Sequence, residues 1–150
     1  MFLGQFICSF DSQNRLVLPA SLGGQLKAGG YVTQGFDRNL LVLSAGAFEQ
    51  VYRQIMSVSL TDPLGRLLLR LILGTASELE LDDSGGLKLP DYLKGFAGLE
   101  RNAVVVGQGD YLEIWSPGMW SKQELEIQDA DSNSQRFASL NLTTRANPAH

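Results

Sequence analysis

The chain of 150 residues is poor in the residues that do covalent and metal chemistry. It has one cysteine, Cys8, so no internal disulfide can form; this fits a reducing compartment. It has one histidine, His150, the last residue, which leaves a serine or cysteine nucleophile without a histidine base. A Cys/His zinc site lacks ligands for the same reason. No phosphate-cradling glycine motif stands before a helix with its lysine. No apolar run approaches the about 20 residues that a membrane helix needs. The start, MFLGQFICSF, has no basic stretch of the kind that opens a secretory signal, so the expected location is cytoplasmic. An excess of positive charge is also missing: 12 Lys and Arg stand against 16 Asp and Glu, for a net charge of −4. That rules out a protein coated in cations. It leaves room for a few arginines presented together on one face.

What the chain does have is one segment written twice. Residues 11–19 read Asp-Ser-Gln-Asn-Arg-Leu-Val-Leu-Pro, and residues 82–90 read Asp-Asp-Ser-Gly-Gly-Leu-Lys-Leu-Pro. Asp11 answers Asp82, Leu16 answers Leu87, Leu18 answers Leu89 and Pro19 answers Pro90. One position departs: Arg15 in the first copy is Gly86 in the second. Farther along, at an offset one residue longer, Gly35, Leu40, Val42 and Ser44 answer Gly107, Leu112, Ile114 and Ser116. A match that runs through a turn, a hairpin and a helix start is an internal duplication.

Each copy predicts the same elements. Alternation over 2–10 and 76–81 predicts strands. Residues 11–14 are turn-formers, and Asn14 falls where Gly85 falls in the second copy. Both tolerate positive φ, so both turns are expected to need a left-handed residue there. Short strands follow at 15–18 and 86–89, and brief helical turns at 20–26 and 90–95. Hairpins are expected at 31–43 and 103–115. Ser44 reads as a helix N-cap for 45–58, and Asp62-Pro63 opens a second helix over 63–73. A closing helix is expected over 117–127, with Pro117 at its first position. The polar segment 129–150 reads as a disordered tail.

These features predict an α+β fold. Two β-hairpin/helix halves are related by a pseudo-twofold axis and share one barrel-like core, with peripheral helices. A half alone is too small to bury enough apolar surface. The expected divisions are 5–47, a helical linker at 48–75, a second half at 76–119, a closing helix at 120–128 and the tail. Helix 63–73 is Leu-rich nearly all round and must be covered on most sides, which predicts a homo-oligomer.

Several segments together resemble the MraZ family, whose halves are each similar to the AbrB-type swapped-hairpin DNA-binding fold. They are Met1-Phe2-x-Gly4, the Asp11-x-x-x-Arg15 signature with Leu16 and Pro19, LGTASELELD at 73–82, FAGL at 96–99, VVGQ at 105–108 and LEIW at 112–115. The resemblance implies a nucleoid-associated transcriptional regulator that forms ring-shaped oligomers. It also implies binding to double-stranded DNA, at short direct repeats upstream of a division and cell-wall gene cluster. The resemblance further implies that both signature arginines are expected to face DNA. This chain keeps the first at Arg15 and has Gly86 in place of the second, and Asn14 replaces a glycine.

The candidate DNA-binding residues are therefore Arg15, then Ser12, Gln13 and Asn14 at the turn, and Lys88 on the second short strand. Arginine can neutralise phosphate or contact guanine bidentately. A surface arginine paired with Asp11 is the plainer reading of Arg15. Asp11 and Asp82 are expected to orient their turns, because a carboxylate facing phosphate is repelled. No cofactor, metal or small-molecule substrate is expected. Two other functions remain open at this level. One is an AbrB-fold protein-interaction or antitoxin-like module. The other is an aspartic-protease-like enzyme, suggested by Asp83-Ser84-Gly85. That chemistry needs two such turns, and the first copy reads Asp11-Ser12-Gln13.

Overall fold

The computed structural model describes residues 1–143. Nine strands and six α-helices make an α+β fold among them. The strands are β1 (Gln5–Ser9), β2 (Arg15–Val17), β3 (Gly30–Gln34), β4 (Leu40–Ser44), β5 (Ser77–Glu78), β6 (Glu80–Leu81), β7 (Gly86–Lys88), β8 (Asn102–Gly107) and β9 (Tyr111–Trp115). The helices are α1 (Ala20–Gly23), α2 (Ala45–Met56), α3 (Pro63–Ile72), α4 (Asp91–Ala97), α5 (Pro117–Gln128) and α6 (Ala130–Arg136).

The duplication is visible in the strand order. One antiparallel sheet runs β1-β8-β9-β4-β3-β5. Exchanging each strand for its repeat counterpart gives the same order read backwards. Two ladder pairs lie on the implied axis. Leu16 faces Leu87 in the β2–β7 ladder, and Leu41 faces Glu113 in the β4–β9 ladder. Each of those residues faces its own repeat equivalent. Four pairings, β1 with β8, β3 with β5, β2 with β7 and β4 with β9, join one half to the other. The halves are therefore interleaved, and one apolar cluster serves both, with Leu16, Leu18, Leu22 and Leu40 beside Leu87, Leu89, Leu93 and Leu112.

The expected barrel is not there. The smaller sheet, β2-β7-β6, is separate, and neither sheet closes. The predicted strand 76–81 is split, and the split explains the two sheets. Ser77 and Glu78 pair with β3, while Glu80 and Leu81 pair with β7. Leu79 is the crossing point, its N–H donating to the Gly30 carbonyl at 3.0 Å. The first half crosses at Phe10, which makes an isolated bridge to Leu16.

The helix starts follow their caps. The hydroxyls of Ser44 and Ser116 accept from Ala47 N–H and Met119 N–H, both at 3.3 Å. Asp62 caps α3 by accepting from Leu64 N–H at 2.9 Å, with Pro63 next. The helix expected at 90–95 runs to Ala97, because Gly98 takes φ +66 and ends it with a left-handed cap. α3 docks by Ile72 and Gly65, while Leu64 and Leu67 are 72% and 61% exposed. Its end is tied to β3 by the buried Thr33, whose hydroxyl donates to the Ile72 carbonyl at 2.6 Å.

The segment expected to be a disordered tail is ordered over part of its length. α6 is capped by Asp129, which accepts from Ser132 N–H at 3.2 Å and from its hydroxyl at 2.7 Å. Asn133 reaches back to the Ile127 carbonyl at 2.6 Å. Short polar residues that leave no apolar signature can still cap and brace a helix end. Residues 144–150 of that expectation lie outside the described residues.

Candidate nucleic-acid interface

The two signature turns sit at opposite ends of the β2–β7 pair. Both are built by an aspartate that binds the backbone of its own turn. In the first, Asp11 Oδ1 accepts from the N–H groups of Gln13 and Arg15, both at 2.9 Å. In the second, Asp82 Oδ1 accepts from Ser84 N–H at 3.0 Å, Ser84 O–H at 3.1 Å and Gly86 N–H at 2.7 Å. The chain closes each turn in the same way: Asn14 N–H donates to the Asp11 carbonyl and Gly85 N–H to the Asp82 carbonyl. Asn14 has φ +61 and Gly85 φ +86, as the shared turn chemistry predicts. Asparagine is among the few non-glycine residues that enter this region readily.

Ser12, Gln13 and Asn14 are exposed at the first tip. Arg15 is not free beside them. Its Nη1 donates to Asp82 Oδ2 at 2.7 Å, and the two side chains are 34% and 28% exposed. The sequence offered Asp11 as the partner. The fold supplies Asp82, because Arg15 on β2 stands opposite Lys88 on β7 and the Asp82 turn lies beside that ladder. Asp11 orients the arginine's backbone; Asp82 holds its guanidinium. Among the described residues, no cation is bonded to the Asp11 carboxylate.

Asp82 is a strongly held anion. The Gly86 N–H above all, and then the Arg15 guanidinium, lower its pKa to about 2. Lys88 is exposed on the same sheet and lies 3.7 Å from Glu80. Arg15, Lys88, Asp82 and Glu80 together line one shallow depression. Two cations thus face two carboxylates there.

One further residue belongs to the first turn and was not legible in sequence. Lys94 on α4 donates to Asn14 Oδ1 at 2.7 Å, with its ammonium 4.1 Å from the centre of the Phe10 ring. Its repeat equivalent is Gly23, so the duplication gave it no partner to align with. At the second turn the corresponding space is a cleft lined by Gly23, Gly24, Lys27 and residues 82–85. The two turns therefore share a backbone and an aspartate and differ in charge: the first sets Arg15 and Lys94 beside Asp11, the second sets Lys27 beside Asp82 and Asp83.

Fold and site define a class: an internally duplicated α+β protein whose two halves interleave and display two aspartate-closed turns. The sequence profile described as "MraZ protein, putative antitoxin-like" matches this chain twice, over residues 1–71 and 72–142. The chain belongs to the MraZ family. It is 38% identical to the transcriptional regulator MraZ of Thermomicrobium roseum, over 93% of this chain and 99% of that protein. It is 34% identical to that of Roseiflexus castenholzii over the same shares of each chain, and 34% identical to that of Micrococcus luteus over 89% and 96%. No helix among the described residues is long and apolar enough to cross a membrane.

Proposed function

We propose that this protein is a transcriptional regulator that binds double-stranded DNA through the Asp11-x-x-x-Arg15 turn. The observation that carries the reading is that turn itself, in a chain similar to named transcriptional regulators. It is closed by Asp11 and presents exposed Ser12, Gln13 and Asn14 ahead of Arg15. Neutral donors at the tip suit phosphate and sugar contacts, and Arg15 suits a guanine edge. Lys88 and Lys94 add positive charge near the same surface. The proposed targets are direct repeats near promoters of a division and cell-wall gene cluster, and the proposed location is cytoplasmic and nucleoid-associated.

One arginine per protomer binds weakly. Each phosphate neutralised contributes a slope of about −0.9 to the salt dependence. A ring of copies on successive repeats gains through effective concentration, by about 10²-fold. The exposed Leu64 and Leu67 on α3 are the surface proposed for that assembly.

The test is a mobility shift with a fragment from upstream of the protein's own gene at about 50 mM salt. Wild type is expected to shift the fragment and Arg15→Ala to fail. An Arg15→Ala protein that binds like wild type removes this turn from the interface.

A second reading has one observation in its favour. The cations of the small sheet are matched by Asp82 and Glu80. Such a face suits a protein partner, as in an antitoxin-like module, better than bare phosphate. Absence of any shift, together with capture of a defined protein partner, favours it.

A further inference from the structure

The geometry points to Asp82 as a clamp on Arg15 that suppresses sequence-independent DNA binding and leaves Arg15 oriented for a base edge. The inference rests on the DNA-binding reading of the first turn.

Three features build the clamp. Asp82 is anchored by one oxygen only: Oδ1 takes all three bonds from Ser84 and Gly86. Oδ2 is left for the guanidinium, at 2.7 Å. Gly86 makes the approach possible. A Cβ at this position would stand 2.6 Å from Asp82 Oδ2 and 3.1 Å from Oδ1. The residue that breaks the duplicated signature thus opens the space through which the second half holds the arginine of the first.

The consequence follows from the range of the forces. Attraction to phosphate is Coulombic and sums all nearby charge. A guanidinium paired at contact distance with a carboxylate presents a dipole rather than a net charge, and salt screens it within about 8 Å. Glu80 treats Lys88 in the same way, at 3.7 Å. The face then holds little net attraction for an arbitrary duplex. Contact with a base edge depends on direction instead. Arginine has five N–H donors in a planar fork, so one bond to Asp82 leaves others available for guanine O6 and N7. The clamp costs affinity everywhere and orientation nowhere, which raises the ratio of specific to non-specific binding. Asp82 stays ionised throughout the physiological range, since its pKa lies at about 2.

Asp82→Asn in the full-length protein is the direct test. The amide oxygen can keep the turn closed, while the amide nitrogen cannot accept from Arg15. Two duplexes of equal length serve as probes, the upstream fragment and a scrambled sequence. Affinity is read by fluorescence anisotropy across a salt series. The expected result is about tenfold tighter binding of the scrambled duplex, a salt slope steeper by about 1, and a smaller upstream-to-scrambled ratio. Asp83→Asn is the control. It removes the same charge from the exposed neighbouring residue, which bonds no arginine, and is expected to change affinity by less than about threefold. Equal gains in the two variants, or no gain in Asp82→Asn, overturn the clamp. A DNA-independent arm separates its failure from that of the binding reading. The Asp82 carboxyl is titrated by NMR in wild type and in Arg15→Ala, and its midpoint is expected to rise in the variant. An unchanged midpoint overturns the clamp whatever the DNA results. Wild-type binding by Arg15→Ala overturns the binding reading, and with it the effect of the clamp on DNA, while a risen midpoint still leaves the Asp82–Arg15 pair itself standing.

Discussion

Leu16 and Leu87 face one another in the β2–β7 ladder, one repeat apart in sequence, and each is completely buried. They hold the two halves together on the pseudo-twofold axis. Truncating either to alanine leaves a cavity that the other half cannot close. Each variant is expected to lose about 3 kcal/mol in urea unfolding. A loss below about 1 kcal/mol would show that the joint lies elsewhere.

The left-handed residue of each turn gives a paired stability prediction. Asn14→Ala puts a Cβ-bearing residue with no local hydrogen bond at φ +61, and breaks the bond from Lys94. The expected cost is about 1 kcal/mol. Gly85→Ala should cost more, about 2 kcal/mol, because its Cβ would lie 2.9 Å from the Leu18 carbonyl oxygen, a backbone atom. Thermal melts of the two variants test the order; the reverse order contradicts this account of the turn.

Gly86→Ala tests why the second signature position is glycine. Its Cβ displaces Asp82 Oδ2, but Asp11 closes its own turn beside the Cβ of Arg15, so the turn itself can survive. The variant is expected to fold, to lose stability by about 1 kcal/mol at most, and to bind a scrambled duplex more tightly than wild type. Unchanged binding means that Asp82 reaches Arg15 past a side chain, and glycine is then irrelevant to the pair.

Acid sensitivity should also centre on Asp82. Its folded pKa of about 2 is below the usual unfolded value of about 3.9, so folding favours the ionised form. The stabilisation is complete above about pH 4 and is lost as pH falls through 2. Melting temperature should decline across that window in wild type and decline less in Asp82→Asn. Parallel curves would assign the acid transition to other carboxylates.

Cys8 is buried on β1, and desolvation raises its thiol pKa. Only thiolate reacts, so a maleimide or disulfide reagent is expected to label it at the rate of unfolding rather than of a free thiol. Rapid labelling of the native protein would place the β1 edge in an open state.

Much of this molecule was already decided at the level of sequence, because much of it is local. A duplicated pattern, turn-formers closed by Asp11 and Asp82, left-handed positions at Asn14 and Gly85, and caps at Ser44, Asp62 and Ser116 all act within about four residues of themselves. Their chemistry does not depend on what else the chain does. The alternation of Leu16 and Leu18 against Val17 likewise told the core face from the solvent face. The rest is non-local. Where the chain crosses between sheets, at Phe10 and Leu79, depends on ladders from distant strands, so an expected barrel became two open sheets. The partner of Arg15 is decided in the same way. Asp11, four residues away, binds its own turn's N–H groups through Oδ1, and among the described residues no cation is bonded to its carboxylate. Asp82 is nearly half the chain away, yet packing about the pseudo-twofold axis brings it within a hydrogen bond. The duplication was legible from one copy compared with the other; the use made of Gly86, the position where they differ, became visible only when the two copies were folded against each other.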